Sequence, residues 1–271
     1  MERTFDRHVT GADVDRVEGG AAAAVRDELA VEEPLEIRVD GEPLAVTMRT
    51  PGEDEALAAG FLAGEGLIAG RADVAAIGPP ADLAANVVEV RTAAGLRRDP
   101  SGERRFHLTS SCGVCGKAAL ENVRLEAPDP PPPEPIDRAL VERAPAEARA
   151  RQRAFQRTGG LHATALFDAG GGLVAVHEDV GRHNAMDKAA GELLLAGRYP
   201  LTGGLACLSG RASFELVQKA AMARLAALVA VGAPSSLAVE LARERGMLLC
   251  GFVRDGSFNV YSGAHLLADC G

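Results

Sequence analysis

The chain has 271 residues and a formal charge of −9, with 47% hydrophobic residues, 4% aromatic residues and no Trp. This length suits about two domains, with cores that Ala, Val and Leu must fill. The acidic balance argues against wrapping nucleic acid or lying on an anionic membrane. It leaves open a small anion held by a local group of arginines.

No apolar run is long enough for a membrane-spanning helix. The polar opening "MERTFDRHVTGADVDRVEGG" lacks an apolar signal core, so the expected location is the cytoplasm. Five cysteines over this length do not make a disulfide scaffold, and in a reducing compartment their thiols are open to chemistry.

In chain order, the first thirty residues are Ala-rich and weakly patterned. "LEIRV" and "LAVTM" then alternate about Asp40-Gly41, a strong hairpin signal. Pro51 and a group of acids open a predicted helix from Glu53 to about Gly64, and "NVVEVR" reads as a short strand. A charged stretch, Gly95 to Arg105, leads to "SSCGVCGK", Ser110 to Lys117. Four consecutive prolines inside "APDPPPPEP", Ala127 to Pro135, cannot join a helix or a central strand. They read as a stiff spacer between an N-terminal domain, 1–130, which ends in the cysteine loop, and a C-terminal domain, 136–271.

The second part changes rhythm. Ile136 to about Gln156 reads as one charged helix. "HATALF" and "LVAVHE" are strands around Gly170–Gly172. "GRHNAMDKAAGELLLAG", "SFELVQKAAMARLA" and "SSLAVELARERG" are helices, alternating with the strands "GLACLS", "LVAVG" and "MLLCGFV". "FNVYS" closes the series after Asp255-Gly256. This alternation predicts an α/β sandwich on a mixed, largely parallel sheet, with an α+β N-terminal part.

Ligands of such sheets collect where strands end and helices begin. Three corners carry unusual residues: "EDVGRHNAMDK", "SGRAS" and "GAPSS". Arg182 and His183 fall at a helix N-terminus, where the dipole is already positive. A phosphate would resolve that conflict, with Arg211 as a second clamp. The plainer reading is that Arg182 pairs with Glu178 or Asp179. His162 and His177, at two strand ends, are candidates to share a pocket with His183. Cys207 and Cys250 sit inside apolar strands and read as core.

The Cys112/Cys115 pair supports three chemistries. A zinc site needs further ligands from afar. A thioredoxin-like motif would open a helix after a strand. A reactive thiolate would be favoured by Lys117, Arg104, Arg105 and His107, with Gly113 and Gly116 permitting unusual backbone angles. A nucleoside-deaminase reading fails, because no H-x-E precedes the CxxC. Spacing alone does not choose among the three.

Taken together, "EEPLEIRVDGEPLAVTMRTPGEDEALAAGFLAGEGLI", "SSCGVCGK", "TGGLHATALF", "HEDVGRHNAMDKAAG", "SGRASFELVQK" and "GFVRDGSFNVYS" resemble the formate dehydrogenase accessory sulfurtransferase family. Residues 1–25, Arg97–Arg105 and the proline stretch carry little of the likeness. The resemblance implies a C-terminal domain like the cytidine-deaminase fold without its zinc ligands, and a homodimer. It implies that sulfur is taken from a cysteine desulfurase and delivered to the bis-molybdopterin guanine dinucleotide cofactor of formate dehydrogenase. Cys112 would carry the persulfide and Cys115 would assist. The loop Phe252, Val253, Arg254, Asp255, Gly256 and Ser257 would contact the cofactor, and GDP or GMP would mimic part of it. A zinc-stabilised chaperone that grips the cofactor without chemistry is the alternative.

Overall fold

The computed structural model describes residues 8–81, 84–97, 125–132 and 134–268. Strands β1 (Val9–Glu18) and β2 (Ala21–Ala30) form an antiparallel ribbon about Gly19 and Gly20, both at positive φ. The ribbon is absent from the sequence reading for a physical reason. Neither of its faces is buried, so no apolar alternation marks it.

β3 (Glu33–Val39) and β4 (Glu42–Arg49) pair about Asp40 and Gly41. These two residues have φ of 52° and 88°, as a two-residue hairpin turn requires. Helix α1 (Asp54–Gly64) follows, then β5 (Val74–Gly78) and β6 (Val87–Thr92). The four strands order as β4-β3-β6-β5, with β3 and β6 parallel. Leu35, Ile37, Val88 and Val90 on the sheet pack against Leu57, Phe61 and Leu62 of α1.

The second layer begins with β7 (Ile136–Asp137), α2 (Arg138–Arg149) and α3 (Arg153–Thr158). The single helix expected here is two helices, interrupted at buried Gln152. The Asp137 carboxylate caps α2 by accepting the Ala139 N–H at 2.9 Å. Then come β8 (His162–Phe167), β9 (Leu173–Asp179), α4 (Arg182–Leu195), β10 (Leu205–Leu208), α5 (Phe214–Met222), β11 (Ala227–Ala230), α6 (Ser236–Glu244), β12 (Leu248–Arg254), β13 (Ser257–Ser262) and β14 (Leu267–Ala268).

β14 pairs with β7. The other six strands form one mixed sheet, β13-β12-β11-β10-β8-β9. Parallel pairing is concentrated in β10, β11 and β12, and antiparallel pairs complete both edges. Alternate residues of these strands face opposite cores. Leu166, Leu208, Leu228 and Leu249 meet α4, α5 and α6, while Phe167, Cys207, Val229 and Cys250 meet α2. Burial on both faces is why these strands read as unbroken apolar runs.

The two sheets are joined through their helices. A Cβ at Gly60 of α1 would lie 1.8 Å from the Asp187 carbonyl oxygen of α4, and one at Gly191 would lie 1.8 Å from that of Ala56. Only glycine allows this backbone approach.

Candidate functional site

The site grows from the end of β9. Asp179 is wholly buried, and a buried charge must be compensated. Its carboxylate accepts the N–H groups of Thr50 at 3.0 Å and Gly181 at 2.8 Å, and the Asn184 amide at 3.0 Å. Lys188 Nζ, also wholly buried, lies 2.9 Å away and donates to the Thr50 carbonyl at 2.8 Å. The Asn184 amide also donates to the Met48 carbonyl at 2.7 Å. This network fixes the start of α4 against the end of β4.

Above it lies a cavity of about 240 Å³ between α1, β4, α4 and α5. Its apolar side includes Ile37, Met48, Leu57 and Phe61, and its polar side includes His162, Arg182, His183, Asp187, Glu215 and Lys219. Helical spacing builds the polar side as two rungs. His183 and Asp187 are one turn apart on α4, and Glu215 and Lys219 are one turn apart on α5. His183 Nε2 is 3.7 Å from Glu215 Oε2 and 3.2 Å from Ser213 Oγ. Asp187 Oδ1 is 2.7 Å from Lys219 Nζ, whose ammonium sits 5.7 Å from the Phe61 ring centre.

Burial, with Arg182 and Lys219 nearby, holds His183 below its usual range, so the ring is neutral at neutral pH. Burial alone would raise Glu215, but hydrogen bonds from His183, its own N–H and Ser213 bring it down to about 2. Burial pushes Asp187 up to about 6 against the pull of Lys219. Lys219 ends above its ordinary value, since Asp187 and Glu65 outweigh its own desolvation. Burial lowers His162 as well, helped by Arg182 and Arg211.

The predicted residues divide in three. Arg182 and His183 line the cavity. Glu178, one suggested partner of Arg182, accepts the Ala154 and Phe155 N–H groups at 3.0 and 2.7 Å. With Asp179 as the hub described above, both carboxylates have structural tasks of their own. Arg211 is exposed outside the cavity, yet close enough to act on His162. A backbone row leads outward from it: Gly232 N–H donates to the Gly210 carbonyl at 3.0 Å, and Phe252 N–H to the Gly232 carbonyl at 3.2 Å. That row ends at the β12–β13 hairpin, which carries Phe252 to Ser257 with Asp255 and Gly256 at its turn. Phe252 holds a φ of 56° and is 41% exposed, an uncommon backbone state for a bulky residue. Cys112 and Cys115 lie outside the described residues.

One expectation is corrected. His177 does not share the cavity; its Nε2 meets Glu192 Oε2 at 2.6 Å, and both line a separate open cleft beside α1. β9 alternation turns His177 and Asp179 to the same face, toward α4, but His177 meets that helix at Glu192, more than two turns beyond His183. The sequence reading also missed Asp187, Glu215 and Lys219, whose signal was the four-residue spacing from His183 and within α5.

The profile of the FdhD/NarQ family matches residues 30–268. The chain belongs to this family. Its relatives include proteins named sulfur carrier protein FdhD. The one from Streptomyces avermitilis is 52% identical, with 94% of each chain covered. The one from Anaeromyxobacter dehalogenans is 48% identical, with 98% of each covered. A Desulfotalea psychrophila crystal structure, assigned as a formate dehydrogenase accessory protein, superposes with a TM-score of 0.80, covering 96% of this chain and 100% of that one. At 23% identity that likeness is one of fold. As a member of the FdhD/NarQ family, the chain carries its "SSCGVCGK" and "EDVGRHNAMDK" segments inside the matched stretch.

Proposed function

We propose that this protein is a sulfur carrier of the cytoplasm that serves formate dehydrogenase. Relatives of about half identity over nearly the whole chain, named sulfur carrier proteins, carry the reading. Cysteine chemistry supports it. Cys207 and Cys250 are buried, and burial pushes each thiol up to about 12, which leaves them inert as nucleophiles. Of the other three cysteines, two stand together beside Lys117 in "SSCGVCGK", where a thiolate would be favoured, and the third, Cys270, is penultimate.

In this reading the Cys112 thiolate attacks the outer sulfur of a desulfurase persulfide. A new S–S bond forms on Cys112, and the desulfurase cysteine leaves as thiolate. Attack of the Cys115 thiolate on the inner sulfur then forms a Cys112–Cys115 disulfide and releases the outer sulfur as hydrosulfide. Each step is a thiol–disulfide exchange and conserves atoms and electrons. The acceptor is the bis-molybdopterin guanine dinucleotide cofactor. Its phosphates are suited to the starts of α4 and α5 beside Arg182 and Arg211, and to Arg254 on the hairpin.

Mass spectrometry after incubation with a cysteine desulfurase and cysteine tests the assignment. Wild type gains one sulfur on the Cys112 peptide. Cys112→Ala gains none, and Cys115→Ala loads but delivers poorly. A sulfur gained on that loop by the Cys112→Ala protein refutes the assignment of the carrier.

A further inference from the structure

Helix α5 carries a buried amide that the proposed chemistry leaves without a task. Gln218 is 4% exposed, on a helix whose Leu216, Val217, Ala220 and Ala221 belong to the core. An amide in such surroundings is costly unless it is hydrogen-bonded, and an apolar side chain would avoid that cost. Among the described residues the Gln218 side chain makes one hydrogen bond. Its Oε1 accepts the Leu125 N–H at 3.0 Å. That partner belongs to no neighbouring helix or strand. It is the first described residue after the stretch that carries Cys112 and Cys115.

The returning chain is fastened at three points. Leu125 is tied to α5, and Ala127 packs against the core formed with α4, α5 and α6. The Pro128 carbonyl accepts Arg245 Nη1, just past α6, at 3.3 Å. The outgoing flank is fastened elsewhere. Arg97 N–H donates to the Leu67 carbonyl at 3.0 Å, and Arg97 Nε lies 2.9 Å from Asp73 Oδ2. Sequence distance makes the two flanks unequal. Leu125 is ten residues past Cys115, whereas Arg97 is fifteen before Cys112. Ten residues extend at most about 35 Å and fifteen about 50 Å. The Leu125 tie is therefore the tighter limit on where the thiols can travel.

We infer that Gln218 is a positioning residue for sulfur delivery. The inference rests on the sulfur-carrier reading above. In that reading the starts of α4 and α5 receive the phosphates of the cofactor. Gln218 lies about 6 Å along the axis from the first residue of α5. The tie thus fastens the carrier thiols to a helix that meets the acceptor. Delivery within one chain is a step between tethered groups, and its rate follows their effective concentration. Loading is an encounter with a separate desulfurase, and no tether length enters it. A short tether favours delivery alone.

Two rates, measured on the full chain by mass spectrometry, test this. One is the gain of sulfur on the Cys112 peptide from a desulfurase and cysteine. The other is the loss of that sulfur from the loaded protein once the molybdenum cofactor is added. Gln218→Leu with Arg245→Ala removes both hydrogen bonds of the return and frees the chain toward Ile136, where β7 begins. That roughly doubles the tether, and effective concentration falls as about the three-halves power of length. Delivery should slow about threefold while loading keeps the wild-type rate. Gln218→Glu alone keeps an acceptor oxygen at the same reach and should deliver like wild type. Delivery at the wild-type rate in the double variant overturns the inference. So does a slowing of both rates together, which would mean that Gln218 serves the fold alone, or a Gln218→Glu protein as slow as the double variant. A wild type that gains no sulfur, or keeps it in the presence of the cofactor, removes the carrier reading and the inference with it.

Discussion

Among single residues, Glu215 has the most direct pH consequence. Its carboxyl is held at about 2, against an ordinary 4.5. A lowered acid contributes stability above its unfolded value and loses it as pH falls toward the folded one. His183, also lowered, loses stability on acidification below the ordinary histidine range. Asp187, raised to about 6, acts in the opposite sense, losing stability as pH rises through that value. Glu215→Gln isolates one of these effects. Urea unfolding should show the variant weaker by up to about 3 kcal/mol at pH 6, with the gap closing once the pH drops below 4.5. A gap that stays constant from pH 6 to pH 4 means that the His183, Ser213 and backbone bonds do not hold the charge. Arg182 and His183 were legible in the sequence because two basic residue types at a helix start violate a local rule. Their partners Asp187, Glu215 and Lys219 were not, because helical spacing is equally the mark of an ordinary solvated face. Only the crossing of α4 over α5 turns them inward.

Among the elements, the α1–α4 crossing is the most exacting. With each glycine Cβ placed 1.8 Å from a carbonyl oxygen of the other helix, no rotamer change can relieve a methyl group. Gly60→Ala should force the helices apart and cost about 3 kcal/mol or more, the upper range for overpacking. In a protein of this size that lowers melting by roughly 6–12 °C. Gly70→Ala, where an added Cβ meets nothing within 4 Å, is the control. Equal melting of the two variants would show that the helices slide freely. The same contact shows where legibility stops. Both helices were readable from apolar spacing and their flanking glycines, yet their mutual approach depends on glycines more than a hundred residues apart in sequence. Likewise the doubly buried strands were readable as apolar runs, while the hairpins at the sheet edges set pairing directions that alternation with helices does not encode. The ribbon was hidden because burial is what writes the period-two pattern, and it has none.

At the scale of the whole molecule, the cavity and the hairpin present two distances from one sheet edge. Arg182 sits over the cavity between α4 and α5, Arg211 stands outside it, and the Gly210–Gly232–Phe252 backbone row runs on to Arg254. An extended ligand with several phosphates and planar rings would lie along such an edge, and the proposed cofactor carries two guanine nucleotide arms. GDP is therefore a soluble probe of part of it. A ligand that binds only the folded state stabilises it by about 2.7 kcal/mol at a hundredfold excess over Kd. At roughly 2–4 °C per kcal/mol, saturating GDP should raise the melting temperature by several degrees, and ATP should raise it less. Arg254→Ala and Arg182→Ala should each shrink the shift if phosphates lie along the edge. Cys112→Ala should keep it whole, since that thiol handles sulfur and not phosphate. Equal shifts from GDP, ATP and inorganic pyrophosphate would reduce the edge to a generic anion site and end the guanine reading. A full GDP shift retained by both arginine variants would move the nucleotide away from this edge altogether.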